Sequence, residues 1–340
     1  MKGLYKVEIN VYIVSHLPNE WLFDSERIAL QFALLCKFCS MTKVSGVLAT
    51  LLFVCFSARA QAPEPDGAGL RRGTLPKSWR TGGPACDHMP EWEVHPYNPD
   101  LYIIRENGCV NFEKPFLYLF FGKEKALLID TGAGQTHVGE TVSSVMQNWA
   151  QANHREPPPL IVGHSHSHDD HVAGDAQFAA LANTTMVPLT VEGTRKFFGI
   201  GRWPQDVGRI DLGDRIIDVI PIPGHDVLSL AYYDRQTGIL LTGDSLYPGR
   251  LYVGDFPSFV ASTDRLVRFT DGKLVTQILG CHVEEARTPY LDYKVGTKYQ
   301  PDEHVLELGR GELIELNEAL KHMKTPKRLA FRDFTIWPMP

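Results

Sequence analysis

The run His164-Ser165-His166-Ser167-His168-Asp169-Asp170-His171 places four imidazoles and two carboxylates within eight residues. These are the ligand types that Zn²⁺ and other borderline divalent metals prefer. A solvated loop has no need of so many histidines, and a packed core could not satisfy them. Further histidines and aspartates follow at long intervals: His225 in Pro-Gly-His, Asp244 in Thr-Gly-Asp and His282 in Gly-Cys-His, with Asp130 upstream in Leu-Ile-Asp-Thr-Gly. Each stands where an apolar, strand-like run ends. Loops at strand ends are where a rigid scaffold carries its working residues, so the pattern points to a metal centre assembled from distant segments.

The elements that would position these residues are legible as apolar runs. Strands are expected over 101–104, 116–121, 126–129, 160–162, 216–222, 228–233, 239–242 and 275–279, with paired strands around Arg235-Gln236-Thr237-Gly238. Helical spacing covers 138–150, 172–182, 259–269 and, as a long amphipathic stretch, 305–323. Strands and helices alternate in two similar halves, which predicts sheets covered by helices in a layered α/β architecture.

The segment His166-Ser167-His168-Asp169-Asp170-His171 matches the HxHxDH motif, and with His225, Asp244, His282 and Asp130 the chain resembles the metallo-β-lactamase superfamily over roughly residues 100–285. The resemblance implies a four-layer αββα sandwich, here residues 99–340, with metals at one edge between the sheets. It implies two zinc ions per chain, iron or manganese being the other candidate occupants. His166, His168 and His225 would hold the first ion, Asp170, His171 and His282 the second, and Asp244 would bridge them. Two such ions share and activate a hydroxide, which Asp170 would also orient. Asp130 would orient a ligand or loop from behind, or cap a turn. Tyr247 stands where some lactone-hydrolysing members carry a tyrosine, whose hydroxyl would donate to the developing oxyanion or leaving oxygen; the alternative is a packed tyrosine at a strand end. His164 falls outside the motif and reads as a rim residue, and Asp169 as solvated.

Aspartate at position 244 resembles the glyoxalase II, lactonase and general metallohydrolase branches, since the β-lactamases proper usually carry Cys or Ser there. The expected activity is therefore hydrolysis of a small ester, lactone, thioester or amide. The alternatives are β-lactam hydrolysis and a mononuclear iron dioxygenase acting on persulfides. No clear basic cluster is present to grip a glutathione carboxylate, and Asp226-Val227-Leu228 departs from the usual continuation of Pro-Gly-His.

The composition, with 44% hydrophobic and 22% charged residues in a chain of 340, is that of a globular protein. A formal net charge of −6 argues against a nucleic-acid or anionic-membrane partner; a small-molecule substrate is what the resemblance implies. Residues 1–40 read as a doubtful upstream extension. Met41-Thr42-Lys43, the apolar run to Phe56 and Ser57-Ala58-Arg59-Ala60 read as a signal peptide over 41–60. Its apolar run is short for a membrane span. A periplasmic or secreted protein with no stable membrane anchor after signal removal is expected, a cytoplasmic one being the alternative. Residues 61–98 read as an N-terminal arm, of which 61–90, rich in Pro, Gly and Arg, reads as a linker or a loosely ordered segment. Of six cysteines, Cys36, Cys39 and Cys55 lie in the leader. Export would permit a Cys86–Cys109 disulfide, a pairing the sequence leaves open, and Cys281 reads as a small buried residue.

Overall fold

The computed structural model describes residues 69–83 and 86–340. The readings for 1–60, including Cys36, Cys39 and Cys55, lie outside the described residues. Two six-stranded sheets carry the fold. The first runs β1 (Trp92–Asn98), β2 (Leu101–Glu106), β3 (Phe116–Phe121), β4 (Ala126–Ile129), β5 (Leu160–Gly163) and β6 (Thr184–Met186), in that spatial order. The second contains β7 (Gly208–Asp211), β8 (Ile216–Pro221), β9 (Leu230–Asp234), β10 (Ile239–Gly243), β12 (Gln277–Gly280) and β13 (Glu307–Leu308), in the order β13-β12-β10-β9-β8-β7. A small third sheet joins β11 (Arg250–Val253), β14 (Leu329–Ala330) and β15 (Thr335–Pro338), with β15 in the middle.

Alternation along the strands shows the layers. In β3, Phe116, Tyr118 and Phe120 enter a core shared with Ile217, Val219, Tyr232 and Leu241 of the second sheet. The intervening Leu117, Leu119 and Phe121 pack with Val138, Val142, Met146 and Trp149 of helix α1 (Val138–Ala152). In β10, Ile239 and Leu241 face the shared core, while Leu240 packs with Phe259 and Leu266 of α5 (Phe256–Phe269) and Leu313, Leu316 and Leu320 of α6 (Arg310–His322). Successive strand side chains point to opposite faces, so each sheet is covered on both sides. The result is the expected αββα sandwich, and it explains why the strands read as continuous apolar runs.

Several element boundaries differ from the sequence expectation. The helix expected over 172–182 is two short ones, α2 (Asp169–Val172) and α3 (Asp175–Ala179). Between them Gly174 lies so close to the first sheet that a Cβ would sit 2.5 Å from the Thr131 carbonyl oxygen. The remaining short helix, α4 (Val191–Phe197), begins at Thr190, whose hydroxyl accepts from the Gly193 amide. Helix α5 starts ahead of Phe259 because the Asp255 side chain accepts from the Ser258 amide and Pro257 sits in the first turn. Helix α6 starts late because Glu307–Leu308 first pairs with β12 as a strand.

The loosely ordered arm is also corrected within the described residues. Trp79 is buried and meets Phe116 edge-on at 4.9 Å. The Thr74 amide donates to the Tyr97 carbonyl oxygen at 3.0 Å. Residues 92–98 are the edge strand of the first sheet, with Trp92 in its helix-facing core. Cys86 and Cys109 form a disulfide, and Cys281 is free and buried.

A buried ion pair of the second sheet also reaches across to the first. Arg215, fully buried, chelates Asp234 at 3.1 and 2.6 Å and donates across to the carbonyls of Asp100 at 2.5 Å and Phe121 at 3.1 Å. Removing one partner of such a pair strands the other charge in a dry interior. Arg215→Ala should therefore lower unfolding stability by about 3–5 kcal/mol, read from the midpoint of urea unfolding; an unchanged midpoint would contradict the clamp.

Glu106 is a second buried group with a measurable consequence. Its Oε2 accepts from the Ala133 amide at 2.8 Å, which fastens the loop after β4. Burial pushes its carboxyl up to about 8 from an ordinary 4.5. The folded state then holds a proton that the unfolded chain releases. The stability this proton contributes is fully present below 4.5 and declines as pH rises towards about 8. Glu106→Gln should flatten the fall in stability across that window, and a variant with the wild-type slope would show that Glu106 is not its source.

Candidate metal centre

Parallel pairing brings the polar strand ends together. Ile129 of β4 lies opposite Gly163 of β5, so Asp130 and His164 leave the first sheet at the same edge. Gly243 of β10 lies opposite Gly280 of β12, which does the same for Asp244 and His282 in the second sheet. Helix α2 carries Asp170 and His171. His225 follows Gly224, whose φ of +145° and close approach to Phe259 of α5 leave no space for a Cβ.

The side chains converge in two groups. His166 Nε2, His168 Nδ1 and His225 Nε2 lie 3.1, 3.2 and 3.1 Å from one another. In the second group His171 Nε2 and His282 Nε2 are 3.2 Å apart, and Asp170 Oδ2 is 3.3 and 3.2 Å from them. Asp244 stands between the groups: Oδ2 is 3.9 Å from His166, 3.7 Å from His225 and 3.5 Å from His282, and Oδ1 is 3.7 Å from His171. All seven side chains therefore meet, His166, His168 and His225 in one group and Asp170, His171, Asp244 and His282 in the other.

The far ring nitrogens fix what the near ones present. His225 Nδ1 donates to the Tyr252 carbonyl oxygen at 2.7 Å and His282 Nδ1 to the Glu113 carbonyl oxygen at 2.9 Å. His171 Nδ1 donates to Asp130 Oδ2 at 2.9 Å. His166 Nδ1 donates to Ser165 Oγ at 3.0 Å, which itself donates to Asp130 Oδ2 at 2.7 Å. With those protons placed outward, the Nε2 lone pairs of neutral rings point at one another. Such an arrangement is repulsive without a cation and suits one. A tetrahedral ion with bonds of about 2.0–2.1 Å holds its donors roughly 3.3 Å apart, close to the separations seen. Asp244 Oδ1 is buried with no hydrogen-bond partner, an orphaned acceptor that a cation would satisfy. The donor set thus fits two divalent ions.

Electrostatics agree. Burial lowers His166 and His225, disfavouring their protonated forms. Burial opposes charge on His171 and His282 too, but Asp170 and Asp244 outweigh it and raise both, His282 to about 9. Reciprocally, His171 and His282 overcome burial and hold Asp170 and Asp244 below the ordinary carboxylate range. Protons here stand in for cations, so metal uptake should release them.

Asp130 lies behind the centre, wholly buried at a left-handed φ of +68°. It accepts from the Ser165 amide at 2.6 Å, Ser165 Oγ, His171 Nδ1 and Cys281 Sγ at 3.2 Å. It therefore orients His171 and, through Ser165, His166. His164 points elsewhere, pairing Nε2 with Asp175 at 2.8 Å, and Asp169 is exposed.

Tyr247 is where the structure corrects the sequence reading. Its ring borders the site, 5.7 Å from that of His282. Its hydroxyl, however, lies 2.5 Å from the Arg250 carbonyl oxygen and 3.1 Å from Glu284. The single phenolic proton is thus engaged by protein acceptors and is not free for an oxyanion. Ser165, Glu113, Tyr252 and Glu284 were not anticipated. Two of them act on the ligands through backbone carbonyls, which leave no trace in residue type.

A cavity of about 440 Å³ opens onto the centre. Five of the seven ligands line it, all but His166 and His171, and the remaining walls include Glu113, Tyr247, Tyr252, Glu284 and Met339.

The model of the family described as the metallo-beta-lactamase superfamily matches residues 112–282. Acyl-coenzyme A thioesterase MBLAC2 of Bos taurus is 26% identical over 227 residues, spanning 56% of this chain and 81% of that protein. Hydroxyacylglutathione hydrolase of Nostoc punctiforme is 32% identical over 120 residues, spanning 33% of this chain and 47% of that protein. A solved metallo-beta-lactamase from Pontibacter korlensis aligns with a TM-score of 0.47 at 17% identity, covering 68% of this chain and 100% of that one.

Asp130→Asn should keep the fold but weaken zinc binding about 10–100-fold, since the amide cannot serve all its donors and no longer sets the His171 tautomer. Competition with a chromophoric chelator measures this, and wild-type affinity in the variant would show that Asp130 has no hold on the ligands.

Proposed function

Because the chain belongs to the metallo-β-lactamase superfamily, we propose that it is a dinuclear zinc hydrolase of small acyl compounds, with thioesters and related esters as the favoured class. The observation that carries this reading is the pair of donor groups, His166/His168/His225 and Asp170/His171/His282, joined at Asp244 beside an open cavity. Two divalent ions held there would polarise a scissile carbonyl and bring bound water towards neutral pKa, the chemistry of hydrolysis without a covalent enzyme intermediate. The protein supplies the rest. Asp130 and Ser165 hold the imidazoles in register, Asp170 would orient the nucleophilic water, and the Tyr247 ring shapes the wall.

The preference for thioesters is supported by the relatives, an acyl-coenzyme A thioesterase and a hydroxyacylglutathione hydrolase. β-Lactams are disfavoured: they carry a carboxylate beside the scissile amide, and no Lys or Arg is among the cavity's lining residues. The complete second donor group supports two zincs over the single iron of a persulfide dioxygenase. We also propose export to an oxidising compartment under the signal segment that begins at Met41, a reading supported by the Cys86–Cys109 disulfide.

Purified protein should hydrolyse simple S-acyl thioesters, lose the activity to a chelator and regain it with zinc. His166→Ala should abolish turnover and lower zinc content. Thioester hydrolysis that survives both chelation and this substitution would overturn the proposal, as would one bound iron with oxygen uptake on a persulfide.

A further inference from the structure

The wall of the cavity beside the metal centre adds carboxylates to those of the metal donors. Besides Asp170 and Asp244, the described residues of its lining include two glutamates, Glu113 and Glu284, and neither Lys nor Arg. Glu284 is already served, because Arg250 Nη2 donates to Oε1 at 2.6 Å and the Arg250 amide to Oε2 at 2.8 Å. Four of the five guanidinium donors of Arg250 are taken within the protein, one of them by Glu284 itself. Arg250 is buried, and the other three go to Tyr252 Oη at 3.0 Å, Asp292 at 2.7 Å and the Tyr293 carbonyl oxygen at 2.7 Å.

Glu113 differs. Its carboxylate has no hydrogen-bond or ion-pair partner among the described residues, although the residue is only partly exposed and lines the cavity. Its backbone is pinned on both sides, the amide donating to Asn111 Oδ1 at 3.0 Å and the carbonyl accepting from His282 Nδ1 at 2.9 Å. The carboxylate is thus held in the wall rather than swung out on a loose loop. The partly exposed Tyr252 ring shares this lining, whereas Tyr247, also in the wall, is buried. A fixed carboxylate with aromatic neighbours is the chemistry that binds ammonium groups. A partly desolvated carboxylate that no side chain hydrogen-bonds or pairs gains from contact with an ammonium group on the ligand.

Resting on the hydrolase reading above, we infer that Glu113 is a specificity-determining residue that selects acyl substrates carrying an ammonium group near the scissile carbonyl. An anionic substrate group placed against Glu113 meets a carboxylate with no Lys or Arg beside it among the described lining residues, so this wall discriminates by repulsion as well as attraction.

The test compares zinc-loaded wild-type protein with Glu113→Gln on two pairs of substrates. Acetylthiocholine is set against its uncharged isostere, in which carbon replaces the quaternary nitrogen, to place the cation on the leaving side. The methyl ester of trimethylammonio-butyrate is set against its carbon isostere to place it on the acyl side. Calorimetry of choline against its carbon isostere, dimethylbutanol, gives a readout independent of turnover. At least one substrate pair should favour the cation by about tenfold in kcat/KM, expressed mainly in KM, the effect of one charge-assisted contact. Choline should bind more tightly than dimethylbutanol, and Glu113→Gln should shrink both preferences. Equal or reversed preference in both pairs together with equal binding would overturn the inference, as would a preference that survives Glu113→Gln. Choline binding through Glu113 without hydrolysis of any ester would sink the hydrolase reading and leave this recognition standing.

Discussion

Everything in this protein turns on the repulsion between lone pairs that the fold forces into one small space. Carbonyls of Glu113 and Tyr252, the Asp130 carboxylate and Ser165 Oγ take the outer imidazole protons, so His166, His171, His225 and His282 present bare nitrogens inward. Two carboxylates, Asp170 and Asp244, add negative charge to the same volume. Without cations that volume is tolerable only when protons replace them, as the raised His171 and His282 show. The rest of the sandwich can be understood as what holds this unfavourable convergence in place.

The holding is done from two directions. Within each sheet, parallel neighbours discharge their ends at one edge, β4 with β5 and β10 with β12. Between the sheets, a continuous apolar core and the Arg215 clamp fix one edge against the other. Asp130 then links the halves at the site itself: it leaves β4 of the first sheet and accepts from Cys281 at the end of β12 in the second. Cys281 owes its place to this contact and to its small volume; burial and the Asp130 charge raise its thiol, keeping it protonated and a donor rather than a nucleophile.

What the sequence made legible was local. The histidine run, the apolar strands and the turn after each are contiguous signals, and they carry the αββα architecture and all seven inward-facing donors. What stayed hidden depends on partners distant in the chain. Nothing near Tyr247 reveals that Glu284 will engage its hydroxyl, and Glu113 contributes to ligand orientation through a carbonyl that any residue could supply. Trp79 sits in a stretch rich in Pro and Gly without periodicity, so its burial against Phe116 could be found only in three dimensions. The split of the helix over 172–182 came from the close packing of Gly174 on Thr131, again a tertiary constraint overriding a helical pattern.

The most direct measurement is anomalous scattering at the zinc edge from crystals of the zinc-soaked protein. The account predicts two peaks, one among His166, His168 and His225 and one among Asp170, His171 and His282, with Asp244 reaching both. A single peak, or zinc bound elsewhere while these seven side chains keep their arrangement, would contradict it.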